Sequence, residues 1–383
     1  MKIFGKYSRR LKRLKDSLKV IRQAKSMYGL GLIDASRRLR WLQKKHAYDP
    51  TEAFRIGLLN PKLKKDQFSR FISRDHLKQV QSKLSPPELN TIVYNKALFY
   101  LYSSKLGLPI PYSLGVFWSQ APGIDEAHNS LFLRDDWIIY IEKHFKGEFV
   151  TKSSWGHYGS SVRVYKRIGN KFMNLASNKL YDSNELYGEL EAQAGEHSIV
   201  IQKRAYNHPS IIDFTQNTAL QTIRVISYID RSGKLRILSA VMRPVATIEV
   251  LDNYNNFDGG ILLARVDVET GKIIRTHFMR DDIPGTSIIE NHPVTNQPFS
   301  GFQIPDWEAA MKCITNAAFN MLPIRLVGWD LAITPTGPVI IEGNTAFNTH
   351  YLYENSKDLL FADMEASGYS LPHTKEVPSW IKE

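Results

Sequence analysis

The stretch Gly328-Trp-Asp-Leu-Ala-Ile-Thr-Pro-Thr-Gly-Pro-Val-Ile-Ile-Glu-Gly-Asn344 constrains this chain more than any other. Two β-prone runs flank a turn at Pro335-Thr336-Gly337, and each run carries one acid, Asp330 or Glu342. The residues around them are apolar on both faces: Trp329, Leu331 and Ile333 on one, Ala332 and Ile340 on the other. A buried strand pair does not hold carboxylates without partners. If Thr334 pairs with Pro338 across a three-residue loop, Asp330 falls opposite Glu342, although a bulge would slip this register by one position. Period-2 geometry puts Asn344 on the same face as Glu342, about 6.6 Å further along the strand. Opposed carboxylates repel. A hard cation reverses that sign, because carboxylate and amide oxygens are what Mg²⁺ accepts, with phosphate oxygens completing its octahedron. The alternative is a surface hairpin with scattered acids.

A second constellation lies in Phe149-Val-Thr-Lys-Ser-Ser-Trp-Gly-His-Tyr-Gly-Ser-Ser-Val162. A strand carries Lys152, and a turn rich in glycine and serine leads into a second strand. Glycines let backbone N–H groups close on phosphate oxygens, and lysine offers a compact positive charge. No Gly-Lys-Ser/Thr follows, so this is not a Walker A loop. Taken alone, it is equally a structural hairpin. Two arginines stand among apolar neighbours: Arg224 on the face of its strand opposite Ile223, Val225 and Ile229, and Arg243 on the face of Ile237 and Val241. Such arginines pair with an acid or bind an anion. The segment 253–260 is a polar, glycine-bearing loop that approaches a ligand or simply turns the chain. His292, before a proline, is a substrate contact or a turn residue. Cys313 reads as a packing thiol.

The sequence has 383 residues, enough for two or three domains. With 43 % hydrophobic and 23 % charged residues, disordered and collagen-like classes are excluded. One cysteine excludes an internal disulfide framework and a multi-cysteine zinc site. No apolar run is long enough to span a membrane as a helix, and no secretory signal is expected. The net charge of +12 is concentrated: residues 1–45 hold 15 Lys or Arg against Asp16 and Asp34, so the remainder is close to neutral. Nucleic-acid binding by the main body is therefore not expected. Two helices are predicted in this segment, broken near Gly29-Leu30-Gly31, with Leu11, Leu14, Leu18 and Ile21 at helical spacing. This segment docks its stripe on the protein's own body, contacts an anionic membrane or lipid-linked substrate, or binds nucleic acid, although no aromatic interleaving points to base stacking. A further helix is predicted from Pro86-Pro87 to Gly107. Short β-runs follow, with helices at Ser183–Ala194 and Trp307–Met321, giving an α+β body with largely antiparallel sheet.

In this order the pieces resemble the ATP-grasp superfamily, most closely the sugar-transfer associated ATP-grasp branch akin to α-L-glutamate ligase-like enzymes. The resemblance runs from about Asn95 to Phe347. It is carried chiefly by Val327-Gly-Trp-Asp-Leu-Ala-Ile-Thr with Gly337-Pro-Val-Ile-Ile-Glu-Gly-Asn344, then by His292-Pro-Val-Thr with Gly301-Phe-Gln-Ile-Pro-Asp-Trp307. It implies two α+β subdomains clamping ATP behind a basic, mainly helical N-terminal extension. The implied divisions are 1–85 (extension), 86–147 (connecting), 148–215 (lid) and 216–383 (core with metal site). By the same resemblance, Lys152 and Lys96 contact ATP phosphates, and Gly156, Gly159, Ser160 and Ser161 form the flexible lid. The strand ending in Gln202 and Lys203 reads adenine with its backbone. Asp330, Glu342 and Asn344 hold Mg²⁺, two ions with Glu342 bridging (Mn²⁺ being an alternative), and Arg224 and Arg243 face the acyl-phosphate and carboxylate. Many relatives carry an acid where this chain has Lys203-Arg204, which leaves the ribose contact unassigned. Either Asn255 or Asn256 matches the asparagine before the glycine pair.

The implied activity is an ATP- and Mg²⁺-dependent carboxylate–amine ligase working through an acyl-phosphate. Its expected substrates are an amino acid as amine and a uronic acid or other small-molecule or glycan-linked carboxylate of surface polysaccharide or cell envelope. The expected location is cytoplasmic, peripheral at the inner face of the membrane through residues 1–45. The rival functions are a phosphotransferase acting on a sugar-like hydroxyl and a nucleotide-responsive binding protein.

Overall fold

Helical periodicity dominates roughly the first hundred residues and strand periodicity most of the rest. The computed structural model describes residues 2–65, 68, 71–155, 161–247, 258–280, 286–349, 356–366, 368 and 377–381, without the side chains of 2–10 and 356–359. Helices Lys2–Tyr28 and Leu32–His46 break where the glycines predict, with Gly29 at a φ of 67°. Helices Pro50–Arg55 and Arg74–Leu84 follow, capped by the side chains of Asp49 and Ser73. Val20, Ala24, Leu39, Leu42 and Phe54 give this region its own small core.

The single helix predicted from Pro86 to Gly107 is two helices, Asn90–Tyr94 and Lys96–Lys105. Asn95 leaves helical geometry and its Oδ1 caps the Leu98 amide at 3.1 Å. The Lys96 amide instead donates to the Ser154 carbonyl at 3.0 Å. The break therefore fastens the start of the second helix to a distant strand.

Strands β1 (Ser113–Trp118), β2 (Gly123–Asp125), β3 (Ser130–Leu131), β4 (Glu148–Ser153), β5 (Arg163–Ile168), β6 (Lys171–Asn174), β7 (Leu180–Tyr181) and β8 (Ser198–Lys203) form an antiparallel sheet ordered β3-β2-β1-β8-β4-β5-β6-β7. Helices Arg134–His144 and Ser183–Ala194 cover one face through Trp137, Ile141, Leu186 and Leu190, which meet Ile199 and Ile201 of β8. Val116 and Val200 point the other way, into the core shared with helix Lys96–Lys105 and the second sheet.

That second sheet is also antiparallel among the described residues. It comprises β9 (Ile223–Ile229), β10 (Leu235–Met242), β11 (Ile261–Val266), β12 (Ile273–Met279), β13 (Ser287–Ile288), β14 (Leu326–Thr334) and β15 (Gly337–Asn344), ordered β13-β12-β11-β10-β9-β14-β15. Helix Trp307–Asn320 packs Ala310, Ile314 and Ala317 against Val225 and Trp329. On the opposite face Ile226 and Tyr228 meet Leu77, Val80 and Leu360. Both faces of β9 and β14 are thus buried.

The β14–β15 hairpin corrects the predicted turn. Thr334 pairs with Gly337, so the loop is the two residues Pro335-Thr336, and the register is one position off the sequence expectation as far as Leu331↔Ile340. A bulge at Ile341 then restores Asp330 opposite Glu342. Beyond it, a Cβ on Gly343 would sit 2.5 Å from Val93 Cγ1, so glycine is what lets β15 lie against helix Asn90–Tyr94. Gly343→Val is expected to lower stability by about 1–3 kcal/mol through overpacking. Urea unfolding measures this, and unchanged stability would contradict the close approach.

Candidate functional site

A row of charge crosses three adjacent strands of the second sheet. Pairing of β9 with β14 sets Arg224 opposite Asp330, and pairing of β14 with β15 sets Asp330 opposite Glu342. Arg224 and Asp330 are only 7 % and 4 % exposed. The Arg224 guanidinium donates from Nε to Asp330 Oδ1 and from Nη2 to Oδ2 at 3.0 Å, a bidentate grip. Arg243, just beyond β10, donates from Nη2 to Asp330 Oδ2 at 3.2 Å and to Thr222 Oγ1. Burial alone would push the Asp330 carboxyl up, but the two guanidiniums overcome it and hold the group below the usual carboxylate range. The arginines therefore do both things their surroundings allowed: they are internally paired, and they border the candidate site.

Glu342 is met from other directions. Lys96 Nζ lies 3.5 Å from its Oε2, and Asn344 Nδ2 donates to its Oε1 at 3.2 Å. From the first sheet comes Lys152, whose Nζ donates to the Tyr100 hydroxyl at 2.7 Å. Tyr100 in turn donates to the carbonyl of Ile341. The bulged residue has left the ladder, and the tyrosine supplies the partner its carbonyl needs. Sequence reasoning missed Tyr100. The available signal was its place four residues after Lys96, on the same helix face.

Lys152 is 7 % exposed, and burial drives its ammonium down to about 7; Glu342 pulls it back up and Lys96 adds to the fall. Burial likewise raises the Tyr100 phenol, helped by Glu342. Lys96, Lys152, Arg224 and Arg243 are four cationic side chains around two carboxylates, an imbalance that a polyanion would correct.

The structure thus brings together Lys96, Lys152, Arg224, Arg243, Asp330, Glu342 and Asn344. Gln202 is buried at the end of β8, with Nε2 3.4 Å from the Pro111 carbonyl and its side chain beside the Tyr100 hydroxyl. Lys203 stays outside the cluster. It is exposed, with Nζ 4.2 Å from the Tyr112 ring centroid, and its amide donates to the Tyr112 carbonyl. Arg204, at the position flagged for the ribose, is held by Glu148 at 2.7 Å. The Ser161 carbonyl accepts from Gln193 Nε2 at 2.7 Å. Gly156, Gly159 and Ser160 lie outside the described residues, as do Asn255 and Asn256. His292 is fully buried, and its Nδ1 accepts from the amides of Val294 and Thr295 at 3.4 Å, the geometry of a turn residue. Cys313 is buried, its thiol pushed up to about 12.

Among the described residues no group of three or more His, Cys, Asp and Glu side chains gathers as a metal cage. What the site offers is two carboxylates and the Asn344 amide oxygen. That oxygen-only set suits Mg²⁺, which is held by few protein ligands and completed by phosphate and water. A cation here would share Asp330 with its arginines.

The family model described as sugar-transfer associated ATP-grasp matches residues 76–354. The chain belongs to that family. Its pair of antiparallel sheets with covering helices is the ATP-grasp fold, preceded by an N-terminal helical region. Distant likenesses among solved structures include D-alanyl-alanine synthetase A of Vibrio cholerae (14 % identity, TM-score 0.40, covering 75 % of this chain and 64 % of that one). Another is the biotin carboxylase domain of Hydrogenobacter thermophilus 2-oxoglutarate carboxylase in complex with MgADP and bicarbonate (12 %, 0.41, 82 % and 54 %). A third is the D-alanine–D-alanine ligase of Helicobacter pylori (11 %, 0.37, 70 % and 56 %). The chain spans less than two thirds of each of these proteins, and similarity this distant carries no argument about its activity. No curated protein matches the chain. Among the described residues no helix is long and apolar enough to cross a membrane.

Two predictions test the geometry of this cluster. Asp330→Asn leaves two buried guanidiniums without their counter-charge and is expected to cost about 3–5 kcal/mol in urea unfolding. Combining it with Arg224→Met should cost less than the sum of the two single changes; additivity would mean the pair is not coupled. For Lys152, the unfolded side chain keeps its proton to 10.5 while the folded one releases it near 7, so unfolding takes up a proton between those values. Stability from this group therefore rises with pH across that window. Lys152→Met removes the effect. Relative to wild type its melting temperature should be higher by roughly 3 °C or more at pH 6, with the gain shrinking by pH 9. An advantage that does not change with pH would refute the burial argument.

Proposed function

We propose that the protein is an ATP-dependent carboxylate–amine ligase that forms an amide through an acyl-phosphate. The observation that carries this reading is the gathering of Lys96, Lys152, Arg224 and Arg243 around Asp330 and Glu342, where the two sheets meet. Membership of a sugar-transfer associated ATP-grasp family supports a sugar-linked substrate. The concrete version is an amino acid joined to a uronic acid, or another glycan-linked carboxylate, in surface polysaccharide or cell-envelope biosynthesis. Residues 1–85 are proposed as an extension, 86–147 as a connecting piece, 148–215 as the lid and 216–383 as the core.

In the proposed reaction an oxygen of the acid attacks the γ-phosphorus of ATP, ADP leaves, and an acyl-phosphate remains. The amine then attacks the acyl carbon and inorganic phosphate departs, its negative charge balanced by the proton the amine loses. Both partners of the first step are anionic, so the step is slow unless their repulsion is neutralised. Lys96 and Lys152 are proposed to bind the phosphates. Lys152 waits in a site that disfavours its charge, and an arriving phosphate restores it. Arg224 and Arg243 are proposed to orient the carboxylate and acyl-phosphate while keeping Asp330 ionised. Tyr100 fixes the Lys152 ammonium against the hairpin. Asp330, Glu342 and Asn344 would hold Mg²⁺ (two ions, or Mn²⁺ in its place), which supplies further charge neutralisation on the phosphates. Residues 156–161 are proposed as the lid that keeps water from the acyl-phosphate, and the strand ending at Gln202 and Lys203 as the border of the adenine.

The test is release of ADP and phosphate from Mg-ATP over amino acids crossed with uronic acids. Both products are expected only when an acid and an amine are present together. Glu342→Gln and Lys152→Met should each slow release at least about a hundredfold. ADP without free phosphate, needing only a hydroxylated acceptor, would replace the ligase by a phosphotransferase. Tight nucleotide binding without turnover on any acceptor would replace it by a nucleotide-responsive binding protein.

A further inference from the structure

Helix Lys2–Tyr28 changes character along its length. Towards its C-terminus it packs: Val20 and Ala24 are buried with Leu39, Leu42 and Phe54, and Ile21 lies against them. Towards its N-terminus it does not. Leu11, Leu14 and Leu18 are 59 %, 58 % and 50 % exposed. Docking of the leucine stripe on the protein's own body, one of the expectations from sequence, is therefore met only at Ile21.

These three leucines share one helical face. Lys12, Lys15, Lys19 and Arg22 border the stripe and are exposed. Over its whole length the helix contains ten Lys or Arg and one acid, Asp16. An occupant of this face must therefore accept an apolar ridge and many positive charges together. A second copy of the same helix accepts the ridge but brings like charge. A nucleic acid accepts the charge but gives the leucines nothing to enter. An anionic bilayer accepts both, acyl chains for the ridge and headgroups for the lysines and arginines.

We infer that the N-terminal half of this helix lies in the interface of an anionic phospholipid bilayer, with Leu11, Leu14 and Leu18 entering the acyl boundary. The charge complementarity and the exposed ridge carry this inference, and it holds whatever reaction the protein catalyses.

The test is co-sedimentation of the full-length protein with vesicles, without nucleotide. Binding to phosphatidylcholine vesicles containing about 30 % phosphatidylglycerol is expected to be at least tenfold tighter than to phosphatidylcholine alone, and to weaken in 0.5 M salt. The triple variants L11Q/L14Q/L18Q and K12E/K15E/K19E should each lose at least about tenfold. All six positions are exposed, so melting temperature should hold. As a readout without loss of function, L14C labelled with a polarity-sensitive dye should shift to the blue on adding the anionic vesicles. No vesicle binding, or binding that the leucine variant retains, overturns the inference. Salt-sensitive binding to DNA in its place, or concentration-dependent dimerisation abolished in the leucine variant, also overturns it and assigns the face to nucleic acid or to a second copy.

Discussion

The Asp330 carboxylate is the anion around which the second sheet is arranged. It sits in the middle of a fully buried strand, where an unpaired charge would be prohibitive. The chain meets the cost with two guanidiniums from neighbouring backbone, Arg224 directly across the ladder and Arg243 just beyond the next strand. Removing either side of such a pair is far more damaging than never having built it. The pair locks β9 against β14, and Glu342 and Asn344 stand on β15, paired to the other edge of β14.

From that fixed row the site grows outward to elements distant in sequence. The bulge at Ile341 turns a carbonyl out of the hairpin, Tyr100 satisfies it, and the same hydroxyl receives Lys152 from the other sheet. Asn95 ends one helix and begins the next so that Lys96 starts beside both Ser154 and Glu342. Each contact satisfies a backbone or side-chain group that burial would otherwise penalise. The two sheets are thus joined at the place where positive charge accumulates, and a bound polyanion would strengthen the joint.

The residues legible in sequence were those whose charge contradicts their surroundings. Asp330 and Glu342 among apolar strand residues, and Arg224 between isoleucine and valine, demand partners before any fold is known. Secondary structure was legible where amphipathic period and turn chemistry agreed, as at Gly29–Gly31 and Ser183–Ala194. Tyr100 was not legible, because an aromatic in an apolar helix looks like packing until the carbonyl it serves, 241 residues away, is in place. The Asn95 break depends on Ser154, and the bulge at Ile341 leaves no mark on an alternating strand. Helix Arg134–His144 was hidden by its consecutive apolar run 137–141, which erases the helical period, and β12 by a burial pattern that does not alternate. The exposed leucines of the first helix show the converse: the sequence predicts an apolar face, and only the packed structure shows which part of it the protein leaves to solvent.

The clustered cations and carboxylates are proposed to form a metal-dependent triphosphate site. Calorimetric titration of ATP into the protein, with Mg²⁺ and with EDTA, in wild type and Glu342→Gln, tests it most directly. Binding that needs Mg²⁺ in the wild type and is at least about tenfold weaker in the variant is the predicted result. ATP binding indifferent to both the metal and Glu342, or no binding at all, would contradict it.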